Sequence, residues 1–345
     1  MKARHILAAA AMALAAAGAG RADFVLTGTQ HVDVTSPHSL GILYDQSTAD
    51  VNTGGSIAEA YVNNAALLRL LAGSVSSCYA YDTSSVDISD GSIVHPVAYD
   101  SSTLNISGGT MKAMTPRHTS NVKMSGGSIQ YGVGAFNTTS VDFSGGTMGR
   151  NLSAHDSSSV KMSGGTVKYF NAYDTSTAHI SGGTISRYVH AQSSSSVNIS
   201  DGTMENVGAY DTSTLDISGG TISEGLRVEN TSSVDISSGS LSRVYAEGES
   251  RLDISGGSIF ALNARDNTTV TLHGYDFLPL AGDLSLEGNL VLGTGVLTGN
   301  WSGGTPWTLT ILENAPGATI LAVPEPATLA MLAAGALVLL RRRSR

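Results

Sequence analysis

Three aspartates, Asp216, Asp235 and Asp253, recur 19 and then 18 residues apart, each flanked by apolar residues in the phrases LDI, VDI and LDI. If one structural period returns the chain to the same place at each of them, the carboxylates align. Aligned carboxylates offer oxygen ligands to a loosely held cation. A second recurring position carries Tyr81, Tyr99, Phe136, Tyr173 and Tyr210, interrupted by His155 and Gln192. Aligned in the same way, those rings form an aromatic ribbon, the kind of surface that stacks on sugar rings. Generic β-propensity explains the same residues without any ligand, because Tyr suits a half-buried sheet surface. The next position reads Asp82, Asp100, His118, Asn137, Asp156, Asp174, Ser193 and Asp211. Asp and Asn at turns accept hydrogen bonds from nearby backbone N–H groups, so a structural role is sufficient there.

These columns exist only if the chain repeats, and it does. The phrases SSVDISDGSI, STLNISGGTM, SSVKMSGGTV, STAHISGGTI, STLDISGGTI and SRLDISGGSI are variants of one unit. Its last glycine falls at Gly91, Gly109, Gly127, Gly146, Gly165, Gly183, Gly202, Gly220, Gly239 and Gly257, always 18 or 19 residues apart. Within a unit the apolar residues alternate, as in Val86-Asp87-Ile88, which is the period of a strand. The glycine pair then allows a tight turn at φ > 0. Two short strands and two turns fit such a unit. One unit cannot bury its apolar face, whereas stacked units share a continuous core.

The expectation is an all-β fold, a single-stranded parallel β-helix (β-solenoid) of 18–19-residue coils. Crossover chirality favours the right-handed form, although an 18-residue coil also suits a left-handed β-helix. Gly, Ser, Thr and β-branched residues argue against helices. Residues 51–276 carry the solenoid, and the less regular residues 23–50 are expected to cap one end. Residues 277–322, rich in alternating Leu and Val and containing Trp301 and Trp307, are expected to form a β-rich C-terminal cap and linker. The register places Cys78, the single cysteine, in the inward column with Val207, Val244 and Leu262, so it should be buried and inert.

The spacing also bears on chemistry. Catalysis needs a concave site that excludes water, and units that never exceed 19 residues leave no long loop to build its wall. The nine histidines show no metal-ligand spacing, and no GxSxG elbow or phosphate-binding glycine loop occurs. The reading is a non-catalytic protein without a cofactor. The alternatives are a polysaccharide-active β-helix enzyme and a module that binds glycan or calcium.

The termini speak of destination. Lys2 and Arg4 precede an unbroken apolar run and then small residues in AGAGRADF, the layout of a secretory signal peptide over residues 1–22. Signal peptidase and Sec-type export machinery are the implied partners. At the other end, Pro324-Glu325-Pro326 is followed by a short apolar run and by Arg341, Arg342 and Arg343. The apolar run can enter a bilayer as a terminal hydrophobic helix, and the arginines hold it in place from the cytoplasmic side. Removal of the signal peptide and the arginine tail leaves 12 basic against 28 acidic side chains, a net charge of about −16 that disfavours nucleic acid.

Residues 323–345 closely resemble the PEP-CTERM sorting signal of exported Gram-negative proteins. The resemblance implies a transient inner-membrane anchor, processing by exosortase near Pro-Glu-Pro, and delivery to the cell envelope, surface or extracellular matrix of a bacterium that makes exopolysaccharide. Residues 277–312 are similar, less specifically, to the C-terminal block of β-solenoid proteins with this signal.

Overall fold

The computed structural model describes residues 23–324, which are all-β and contain no helix. The body is a parallel β-solenoid of about 14 turns with coils of about 18 residues. It divides between Gln130 and Tyr131 into two units. The expected signal peptide at residues 1–22 lies outside the described residues, as does the expected hydrophobic helix beyond Pro324.

In the first unit a coil pairs a four-residue strand with a longer one. Ser85–Ile88 buries Val86 and Ile88 and leaves Ser85 and Asp87 half-buried. Ser92–Ala98 follows and buries Ile93 and Ala98. Coils stack in register, so Ala49, Leu68, Val86, Leu104 and Val122 are successive partners in one parallel column. Each such side chain removed from water contributes roughly 1.5–3 kcal/mol. Cys78 stands in the inward column between Ala60 and Pro96. It is fully buried, and burial pushes its thiol pKa up to about 12. The parallel ladder begins inside residues 23–50, where Phe24 pairs with Gly41 and Val32 with Ala49. That segment lacks the glycine phrase, yet His31-Val32-Asp33-Val34 keeps the alternation that pairing requires.

The second unit continues the scheme through Val141, Val160, Ala178, Val197, Leu215, Val234, Leu252 and Val270. From Thr177 to Ala246 the ladder follows the chain round the glycine corner, so each coil is one bent strand of 14 or 15 residues. The register shifts between Ile185 and Tyr188 and again between Ile222 and Gly225 place an extra residue in those coils. Such bulges turn an 18-residue spacing into a 19-residue one.

Two corners bend every coil. At the first, the predicted glycine column has positive φ throughout, from Gly109 at 74° to Gly202 at 110°. At the second, Asp82, Asp100, His118, Asn137, Asp156, Asp174, Ser193 and Asp211 all have φ between 53° and 61°. Asp and Asn tolerate this left-handed conformation better than other side-chain-bearing residues. Their side chains then accept the backbone N–H of the preceding coil. Asp156 N donates to Asp174 Oδ2 at 2.9 Å, Ser193 N to Asp211 Oδ2 at 2.9 Å, and Gly248 N to Asp266 Oδ2 at 3.0 Å.

Two residues further along lies a column the sequence reading did not single out. Ser102, Ser158, Ser176, Ser195, Ser213 and Ser232 are completely buried. Their hydroxyls donate across coils to the carbonyls of Ala80, Ala135, Ala154, Ala172, Ala191 and Ala209, at 3.1–3.3 Å.

The C-terminal segment changes pairing. Gly295–Asn300 runs antiparallel to both Thr269–Gly282 and Pro306–Asn314. Pro306–Asn314 and Thr319–Pro324 then add parallel rungs beside Ser258–Ala264 and Thr269–Gly282. Trp301 and Trp307 stack at 4.7 Å, and Trp301 Nε1 donates to the Gly257 carbonyl at 2.9 Å, which ties this segment to a glycine corner.

The glycine corner gives a direct check. At Gly183, with φ of 88°, an added Cβ would lie 2.9 Å from the Gly164 backbone and 2.6 Å from Met162 Cε. Gly183→Ala should lower stability by about 2–4 kcal/mol in thermal or denaturant melts. Gly303→Ala, where an added Cβ meets nothing within 4 Å, should stay within about 0.5 kcal/mol of the parent.

Candidate functional site

The ladder brings Asp216, Asp235 and Asp253 together as successive partners in one column, followed by Thr271. Rungs about 4.8 Å apart put the outer two carboxylates' backbone positions nearly 10 Å from each other. One cation with oxygen ligands at about 2.4 Å spans two adjacent rungs and not three. Asp253 already has partners: Arg251 Nη2 approaches it at 2.7 Å and His273 Nε2 at 3.6 Å. Asp235 is the frustrated member. Partial desolvation, then the charges of Asp253 and Asp216, raise its pKa above the usual carboxylate value.

Among the described residues, one group of metal-ligating side chains converges, His31, Asp33 and Asp50, with ligand atoms within 4.8 Å of one another. Its members are engaged with protein. Arg69 Nε meets Asp50 at 2.7 Å, and His31 Nδ1 lies 2.7 Å from Thr48 Oγ1.

The aromatic column forms as separate short stacks. In the first unit Tyr81 and Tyr99 lie parallel within 5°, centroids 5.1 Å apart. In the second unit Phe136, His155 and Tyr173 form a stack with spacings of 4.6 and 4.7 Å. The rung spacing brings rings at one position of consecutive coils to within stacking distance, and here their side-chain torsions set them face over face. Their inner faces therefore cover one another and leave mainly edges to solvent. Burial, with Tyr99 as the next contributor, pushes the Tyr81 hydroxyl pKa up to about 12, and burial lowers the His155 pKa. Tyr210 stands apart from these stacks, edge-on to His190 at 5.1 Å.

Tyr210 instead belongs to a recess of about 770 Å³ in the second unit. One wall is Tyr188 and His190, stacked with centroids 4.0 Å apart. The other is Tyr245, with the Arg227 guanidinium 5.8 Å from its ring centroid. Between them two outward positions carry glycine. A Cβ on Gly208 would fall 2.5 Å from the Tyr210 ring, so the ring lies over this glycine, and Gly225 on the neighbouring rung lies under the edge of the Tyr245 ring, 3.5 Å from where its Cβ would be. The repeat spacing picks out the column of Tyr81 and Tyr210. Tyr188 and Tyr245 sit in columns beside it, and the signal that would have found the recess was the pair of glycines outside the corner phrase.

The strip yields a pH test. A carboxyl whose pKa is raised by folding withdraws stability as pH rises through that range. Asp235→Asn should therefore raise the melting temperature slightly at about pH 7. The difference should vanish near pH 3, where the parent carboxyl is largely protonated.

The last described strand, Thr319–Pro324, pairs His273 with Val323 and Gly274 with Pro324. Val323 and Pro324 are thus placed by the structure, while Glu325, Pro326, Arg341, Arg342 and Arg343 of the sorting signal lie outside the described residues. Among the described residues no helix is long and apolar enough to cross a membrane. No curated protein and no solved structure matches the chain. Residues 322–344 match the PEP-CTERM protein-sorting motif. By that motif the chain passes through export with a C-terminal membrane anchor before processing. It is a β-solenoid protein that carries a PEP-CTERM sorting signal, an exported substrate of exosortase.

Proposed function

We propose that the chain is a non-catalytic structural or adhesive component of the exopolysaccharide matrix of a Gram-negative bacterium, held at the cell envelope or surface after processing. The observation that carries this reading is the union of a sorting signal with a body built of near-identical rungs. Its corners are short turns closed by their own hydrogen bonds, such as Ser176 N to the Tyr173 carbonyl at 3.0 Å and Ser213 N to that of Tyr210 at 3.1 Å. Such a body repeats one surface chemistry along its length, which suits many weak contacts to a polymer that is itself repetitive. Its acidic balance of 28 carboxylates against 19 basic side chains disfavours nucleic acid as the polymer.

The test is the mixing of the purified protein with polysaccharide from its host, followed by light scattering of the polymer. The molar mass should rise as protein attaches. A fall would identify a polysaccharide-cleaving enzyme. An unchanged mass would remove the polysaccharide from the account and leave a solenoid that associates with protein.

A further inference from the structure

The recess between Tyr188 and Tyr245 has features that the stacking of rungs does not require. Stacking favours like over like, yet here the outward columns break. Tyr188, Asn206 and Gly225 share one set of rungs, with Arg243 on the coil beyond, and His190, Gly208, Arg227 and Tyr245 share the other. Two glycines on neighbouring rungs, Gly208 and Gly225, let the Tyr210 and Tyr245 rings lie close against the backbone, and both are buried beneath those rings. The bulges that lengthen two of these coils fall at the rim, where they carry Arg187 and Glu224. Bulges re-aim side chains and are common beside binding sites.

The charged groups divide into two kinds. Glu224 accepts a hydrogen bond from Asn206 Nδ2 at 2.6 Å, and Arg227 Nη1 donates to Glu229 at 3.0 Å. Arg187 and Arg243 are exposed and have no hydrogen bond or ion pair among the described residues. In a chain with nine more acidic than basic side chains, two unpaired guanidiniums on one concavity are a distinctive arrangement. A guanidinium presents a planar fork that matches a carboxylate. Tyrosine rings beside it supply apolar surface, and Asn206, Glu205 and Glu224 supply hydrogen-bonding groups for hydroxyls. The volume lies within the range of small-ligand sites, roughly 300–1,000 Å³.

We propose that this recess binds a short stretch of an acidic polysaccharide, with sugar carboxylates on Arg187 and Arg243 and sugar rings against Tyr188, Tyr210 and Tyr245. The proposal rests on the matrix reading above and names the class of sugar chain. A polymer of one carboxylate per ring places its charges far enough apart to reach both arginines while its hydroxyls meet the glutamates. A polyphosphate chain carries denser charge and no hydroxyl array to use them.

The test is calorimetric titration of the full-length chain with tetramers of galacturonate, glucuronate, mannuronate and guluronate, and with neutral glucose and galactose tetramers. At least one uronate tetramer should bind saturably and more tightly than every neutral one, and should weaken as salt rises from ~0.05 to ~0.5 M. The Arg187→Ala/Arg243→Ala double variant should weaken it about tenfold or more. Gly225→Leu should do the same by filling the recess. An added Cβ there meets only ordinary contacts at 3.5 Å or more, and circular dichroism and a thermal melt check that the variant keeps the fold. Failure of every uronate tetramer to bind, equal binding of neutral tetramers, tighter binding of a single-stranded oligonucleotide of equal charge, or indifference to Gly225→Leu would each overturn the site. If the Gly225→Leu protein loses the tetramer yet still raises the polymer's mass in light scattering, the site stands and the matrix role rests on further surfaces. If the parent binds no tetramer but still raises the mass, the matrix role stands and this site falls.

Discussion

Within each unit the solenoid rungs sit about 4.8 Å apart, paired in parallel with the same positions of successive coils facing one another. That constraint makes each side chain the near neighbour of the residue one coil away. Apolar residues gain from it, because Val160, Ala178, Val197 and Leu215 bury one another without any specific partner. Hydroxyls gain when a carbonyl lies beside them, as for Ser195 and Ser213. Rings gain by stacking. Charges lose, and the sequence limits the loss by alternating sign, as with Asp142 opposite Lys161, or by importing a partner, as Arg251 does for Asp253.

The Asp and Asn corner shows how repulsion within a column becomes support. A carboxylate at a left-handed position turns toward the N–H of the coil before it, so Asp174 and Asp211 are held by backbone dipoles. A hydrogen bond that is charge-assisted in this way is about twice as strong as a neutral one. The same residue thus sets the turn and ties two coils together. The opposite corner relies on glycine, where carbonyls of the neighbouring coil crowd the place a Cβ would take, as Ser200 O would at 2.1 Å from a Cβ added to Gly219.

The fold was largely legible because the repeat encodes it three times over, in alternation, in the glycine corner and in the Asp corner. Cys78 could be placed inward by counting alone, and it is inward. The rungs within residues 23–50 were harder to read because their corner lacks the glycine phrase, although the alternation persists. The buried serine column went unremarked, since Ser beside a turn reads as solvent-facing until the geometry shows a carbonyl above it. Tyr81 and Tyr99, and Phe136, His155 and Tyr173, meet on successive coils, but their ring-on-ring stacking depends on side-chain torsions that spacing does not specify. The recess was hidden for a related reason. It arises where the repeat is broken, at Gly208 and Gly225, and a search for regularity passes over departures from it.

Register is therefore the central claim, and removal of coils tests it most directly. Ser159 and Thr177 are partners on consecutive rungs. Deletion of residues 159–176 removes one coil and sets Thr177 where Ser159 stood, opposite Ser140. The account predicts that this protein keeps its β circular dichroism and a cooperative melt close to the parent's. Deletion of residues 159–167 removes half a coil, throws both corners and the core columns out of register, and should abolish the cooperative melt. Equal behaviour of the two deletions, whether both fold or both fail, would contradict the claim that in-register stacking holds this protein together.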